Sequence, residues 1–98
     1  MPLFAVDVHP LAAEEAEAAE LWYRERNDTA AARFRRELDR AVDLIAELPE
    51  AAPPYIGNTR RFLLHRFPFF VVYRVYIGHI QVVAVAHARR RPGYWVQR

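Results

Sequence analysis

The residues of this chain that can move a proton or hold an anion near neutral pH are its histidines and arginines. His65 and His87 fall in strand-like stretches beside arginines, where an imidazole can exchange protons at neutral pH. Arg66, Arg74 and Arg90 carry guanidinium groups that grip phosphate or carboxylate in bidentate fashion, and Tyr94 and Trp95 offer rings on which a base can stack. His9 precedes a proline at a predicted helix start, and His79 falls in a predicted turn, so neither is a candidate for chemistry. There is no cysteine, which excludes a disulfide framework, a thiol nucleophile and thiolate metal sites. Four dispersed histidines with no carboxylate after Glu50 do not make a ligand set, so no metal and no cofactor are expected. Each candidate also has a structural reading: His87 as a hydrogen-bonded sheet residue, Arg74 as a partner for a helix carboxylate, Trp95 as a packing anchor for the last strand.

Charge is sorted along the chain. Residues 1–50 hold all 12 acids against 6 arginines, a net −6, while residues 51–98 hold 8 arginines and no acid, a net +8. The absence of lysine reads as base composition, but base composition does not sort acids from bases, so the segregation itself carries information. With 98 residues and 53% hydrophobic content, the chain suits one folded domain over residues 1–98. The first ten residues lack a basic, apolar leader, and no window approaches the ~18 apolar residues of a membrane span, so a soluble protein of the cytoplasm is expected.

The candidates must be placed by these elements. Residues 3–8 alternate as a short strand, with Phe4, Val6 and Val8 on one face. Pro10 then suits a first helical position, and a helix is predicted from there to about residue 26, with Ala12, Ala16, Ala19 and Tyr23 on its apolar face and Trp22 beside it. Glu14, Glu15 and Glu17 suit the positive end of its dipole. Asn27, Asp28 and Thr29 break the chain, and a second helix is predicted from about 30 to 48, with Phe34, Leu38, Ala41, Ile45 and Leu48 in one stripe and Arg33/Glu37 and Arg35/Asp39 as i, i+4 pairs. Residues 49–59 read as a proline-rich loop. Strands follow at 60–67, 69–76 and 79 to about 88, the last two joined by a turn at Ile77 and Gly78. The fold class is α+β: an N-terminal strand and an antiparallel two-helix hairpin packed on one face of a small, mainly antiparallel sheet.

That sheet is apolar on both faces. Strict alternation sets Phe69, Val71, Tyr73 and Val75 against Phe70, Val72, Arg74 and Tyr76, and in the last strand Ile80, Val82, Ala84 and Ala86 against Gln81, Val83, Val85 and His87. Two helices cover one side. The other is either a partner surface or lies under a folded-back C-terminal tail.

Taken together, Val8-His9-Pro10 with Ala12 and Glu15, Trp22-Tyr23, Phe34, Leu48-Pro49, Arg66-Phe67-Pro68-Phe69, Val72-Tyr73-Arg74, and Ala84-Val85-Ala86-His87 with Arg90, Pro92, Trp95 and Arg98 resemble the RelE/ParE toxins of type II toxin–antitoxin, or plasmid stabilisation, systems. The resemblance covers almost the whole chain. It implies a cognate antitoxin protein in a hetero-oligomer, and a target that is either DNA gyrase, as in the ParE branch, or messenger RNA on the ribosome, as in the RelE branch. Metal-free RNA cleavage needs a base, an acid and cations for the phosphorane charge, and His65, Arg66, Arg74, His87, Arg90 and Tyr94 are the candidates. The lysines typical of one branch are missing. Under the gyrase reading, which the overall pattern favours, Arg60, Arg61, Arg74, Arg89, Arg91, Trp95 and Arg98 form the surface for target or antitoxin.

Alternatives of other classes are a degenerate toxin kept as an interaction module and a nucleic-acid-binding regulator. The second is weakened because strands rather than a basic helix carry the cations.

Overall fold

The computed structural model describes residues 4–98. Its first strand, β1 (Ala5–Val8), pairs in parallel with the last one; the predicted start at residue 3 lies outside the described residues. His9 then accepts the Leu11 N–H on Nδ1 at 3.1 Å and caps α1 (Pro10–Arg24), with Pro10 at the first position where its missing donor costs nothing. Asn27 caps α2 (Asp28–Glu47) by accepting from Thr29 N and Ala30 N, so this helix starts before the predicted residue 30. The helices pack as a hairpin pinned by Glu20, whose Oε1 accepts from Arg35 Nε and Nη2 at 3.0 and 2.9 Å. Arg35/Asp39 forms as expected at 3.7 Å, whereas Glu37 pairs with Arg40 rather than Arg33.

The sheet has the order β1-β5-β4-β3-β2, with β2 (Pro54–Tyr55) in the expected loop, β3 (Thr59–Leu63), β4 (Phe69–Tyr76) and β5 (His79–His87). Every pairing except β1 with β5 is antiparallel, so the expected α+β class and layout hold. β3 stops four residues short of the predicted end because Arg66 takes a left-handed φ of 70° ahead of Pro68, a conformation that no strand tolerates. Gly78, at φ 80°, makes the β4–β5 turn.

Ala12, Ala16 and Ala19 let α1 approach β5 closely, and with Phe34, Leu38, Ala41 and Ile45 of α2 they cover Val71, Tyr73, Ile80, Val82 and Val85. Leu48, predicted as the last member of the α2 stripe, caps the helix end instead and is 62% exposed. Two corrections concern the sheet faces. A bulge opposite Val72/Tyr73 leaves Val83 without a partner, and beyond it the alternation of β5 reverses, so Val85 faces the helices and Ala84 and Ala86 face away. The second face is also not an open apolar surface. Trp95, fully buried, lies on Phe70, Val72, Val83, Ala84 and Ala86, flanked by Tyr55 and Tyr94, so the C-terminal tail covers this side. No helix among the described residues is long and apolar enough to cross a membrane.

Candidate functional site

β1 ends at Val8, opposite Val82, so among the described residues the rest of β5 has no strand along that edge. Its outward backbone groups still need partners, because an unpaired buried amide costs about 1–3 kcal/mol. Side chains supply them. Glu15 reaches from α1 and its Oε1 accepts the Val85 N–H at 3.0 Å, while Arg98 Nη1 donates to Val83 O at 3.0 Å.

The same two side chains form a bidentate ion pair, with Arg98 Nη1 and Nη2 each 3.0 Å from one Glu15 oxygen, and their side chains are only 12% and 13% exposed. Arg90 adds a third cation contact, Nη1 to Glu15 Oε2 at 3.1 Å. Tyr94 lies between these arginines, its ring 3.7 Å from Arg90 Cζ and 5.0 Å from Arg98 Cζ, near enough for cation–π attraction to both. The Tyr94 hydroxyl is buried with no hydrogen-bond partner among the described residues. Burial, reinforced by the nearby Glu15 carboxylate, pushes its phenol up to about 12. This group is therefore a neutral phenol throughout the physiological range.

Beside the Glu15 hub, α1 and the end of the β4–β5 pair enclose an open cleft of about 430 Å³, with Trp22, Tyr23 and Phe69 as its aromatic wall and His87 and Arg90 at its rim. His87 stands edge-on to Phe69 at 4.9 Å, and its Nδ1 accepts the Arg89 N–H at 3.0 Å. Trp22 is half exposed under the Arg26 guanidinium at 3.7 Å. Arg89 and Arg91 are exposed on the segment that leaves β5.

Of the residues singled out for RNA cleavage, His87, Arg90 and Tyr94 come together here. His65 and Arg66 occupy the β3–β4 turn, where Arg66 Nε donates to His65 Nε2 at 3.2 Å, and His65 lines a different hollow, against α2. Arg74 points to the other side of the sheet and donates to Gly57 O, Val96 O and Arg98 O at 3.2, 3.0 and 2.9 Å, fastening the tail. A helix carboxylate is not its partner.

Among the residues expected to form a docking surface, Arg89 and Arg91 are exposed on the segment after β5, with no side-chain hydrogen bond or ion pair among the described residues. Trp95 is not, because it is core and its Nε1 donates to Ile56 O. Arg98 is committed to Glu15, Arg60 donates to Glu50 O and Ala52 O, and Arg61 lies over the Tyr55 and Phe70 rings. The residue that sequence reasoning missed as a centre is Glu15. Its signal was an acid flanked at i−3 and i+4 by the buried Ala12 and Ala19, which puts a carboxylate at the edge of an apolar stripe.

A family model described as the ParE toxin of the type II toxin–antitoxin system parDE matches residues 6–92. In structure the chain is similar to a protein described as a chromosomal ParDE toxin–antitoxin system from P. aeruginosa, at TM-score 0.78 and 18% identity, over 89% of this chain and 98% of that one. No curated protein matches the sequence.

Proposed function

Because the chain belongs to the family of ParE toxins of type II toxin–antitoxin systems, we propose that it arrests growth by poisoning DNA gyrase once its antitoxin is removed, with the exposed Arg89 and Arg91 after β5 and the half-exposed Trp22 as the surface that meets the target. The observation that carries this reading is the commitment of the groups that RNA cleavage would require. Arg74 is spent on the tail, Arg90 is held by Glu15, and His87 uses Nδ1 on its own chain. His65 lies in another hollow, so the two histidines do not share a site as acid and base. An aromatic cleft beside a segment of exposed arginines is instead suited to docking on a large acidic partner.

The test is incubation of the purified protein with gyrase and supercoiled plasmid, with message integrity followed in arrested cells. Linear DNA trapped on gyrase, with intact messages, is the expected result. Arg89→Glu with Arg91→Glu should abolish it without lowering the melting temperature. Cut messages with unbroken DNA would overturn the proposal and turn attention to His87, Arg90 and Tyr94.

A further inference from the structure

The cleft beside Glu15 joins an aromatic wall to polar groups that are not used up within the chain. Trp22 is half exposed and stands edge-on to Tyr23 at 5.1 Å, with Pro68 and Phe69 completing the wall. Tyr23 is itself packed on Phe34 and Phe67, so the wall has little freedom to move. Ala18 and Ala19 add no bulk to the lining.

Three ionisable side chains also line the cleft. Glu15 is already engaged by Arg98, Arg90 and the Val85 N–H. The Arg89 N–H donates to His87 Nδ1, so in the neutral ring the proton sits on Nε2, a donor with no partner among the described residues. Arg90 spends only Nη1 on Glu15, and its side chain is half exposed. Outside the lining, Arg26 lies over the Trp22 ring with Glu25 at 4.0 Å, Glu14 is exposed one helical turn before Ala18, and Arg89 and Arg91 are exposed on either side of Arg90 in the chain.

These groups select the occupant. An apolar side chain would fit the aromatic wall but would cover the donors of His87 and Arg90 without pairing them, which is unfavourable. An unpaired nucleobase satisfies both, with a flat face for the rings and ring nitrogens and carbonyl oxygens for the donors. A base inside a duplex shows only its edge, so the strand must be single. Resting on the gyrase reading above, we propose that the cleft receives one unpaired base of the DNA that the target holds open, with Arg89 and Arg91 on the flanking phosphates.

Trp22 lines the cleft, whereas Trp95, the second of the two tryptophans, is fully buried, so intrinsic fluorescence reads the site. A ~12-nucleotide oligothymidylate should quench the emission, and a duplex of that length should bind at least ~10-fold more weakly. By anisotropy of the labelled strand, Trp22→Ala should weaken binding by ~10-fold, and Trp22→Phe, which keeps a ring, should restore much of it. Ala18→Glu, at an exposed helix position, sets bulk and a carboxylate in the cleft without removing a contact, and should cost as much. Arg89→Gln with Arg91→Gln should reduce the slope of log affinity against log salt by about 1.4. Parent-level trapping of linear DNA on gyrase by Ala18→Glu, or equal binding of single strand and duplex without quenching, would overturn the base in the cleft and leave the gyrase reading standing. Polyglutamate that quenches Trp22 and displaces the strand would overturn it in favour of an acidic protein surface. Binding of oligouridylate ~10-fold tighter than of the DNA strand would overturn both it and the gyrase reading.

Discussion

Replacing Glu15 with alanine removes at one stroke the acceptor of the Val85 amide, both hydrogen bonds of the Arg98 guanidinium to a carboxylate, and the anchor of Arg90. Since the Glu15 and Arg98 side chains are 13% and 12% exposed, solvent does little to screen the pair. Taking away one member of such a pair leaves a buried charge uncompensated and costs about 3–5 kcal/mol. That sum is a large share of the ~5–15 kcal/mol available to a domain of this size, and at ~4–8 °C per kcal/mol it lowers the melting temperature by roughly 12 °C or more. Thermal denaturation followed by far-UV circular dichroism is sufficient to read it, with Glu14→Ala, an exposed neighbour, as the control that should stay within ~0.5 kcal/mol. Glu15→Gln keeps an acceptor for Val85 N–H while losing the charge, and should fall between. A Glu15→Ala variant within ~1 kcal/mol of the parent, or Glu15→Ala and Arg98→Ala effects that simply add, would refute the claim that one coupled network closes the β5 edge.

Alkaline pH should also unfold the protein more readily. The Tyr94 phenol is held above its ordinary value of 10.0, at about 12, so the stability it contributes is intact below pH ~10 and is lost as pH climbs through 12; burial raises Tyr23 and Tyr73 as well, which adds to the loss above pH ~10. Urea midpoints that stay level from pH 9 to 11.5 would contradict this, and Tyr94→Phe should flatten part of the slope. At the tail, Trp95→Ala should cost ~3–5 kcal/mol through the cavity it leaves on the outer sheet face, and Trp95→Ala combined with Arg98→Ala should abolish growth arrest. Full arrest by that double variant would undercut the role given to the tail. Gly57→Ala should destabilise more than Gly78→Ala: both have φ 80°, but the new methyl at residue 57 meets Val96 Cγ2 at 3.0 Å while that at residue 78 meets open space. Chemical denaturation ranks the two, and equal losses would count against close packing of the tail on the 56–58 turn.

Periodicity made most of the architecture legible. The apolar spacing of Phe34, Leu38, Ala41 and Ile45 and the alternation through residues 69–76 are each a direct consequence of which side chains must leave water. Three things were not legible, for physical reasons. The bulge at Val83 is invisible to a pattern of period two, because Val82, Val83, Ala84 and Val85 are all apolar and any register satisfies them. The fate of the outer sheet face depended on whether seven irregular residues after Arg91 fold back, and Trp95 does so by a long-range contact that no local propensity encodes. Glu15 drew attention for its place near a helix start, yet its partners Val85, Arg90 and Arg98 are 70 to 83 residues away in sequence.

Glu15 also bears on the charge segregation of the chain. A net −6 first half and +8 second half suggest a cationic surface offered to a partner, but much of that charge is directed inward. Arg98 and the half-exposed Arg90 pair with Glu15, while Arg74 and Arg60 are held by backbone carbonyls, so four of the eight second-half arginines are engaged within the chain. The remaining four divide by position: Arg89 and Arg91 are exposed on the segment after β5, and Arg61 and Arg66 flank residues 62–65 at the end of β3. The cationic half thus resolves into two separate patches, and they need not serve one partner. Reversing the Arg89 and Arg91 charges should reduce target damage while leaving antitoxin binding nearly intact, whereas reversing those of Arg61 and Arg66 should do the opposite. If both sets of variants weakened both activities in parallel, antitoxin and target would share a single surface, and the division into two patches would be wrong.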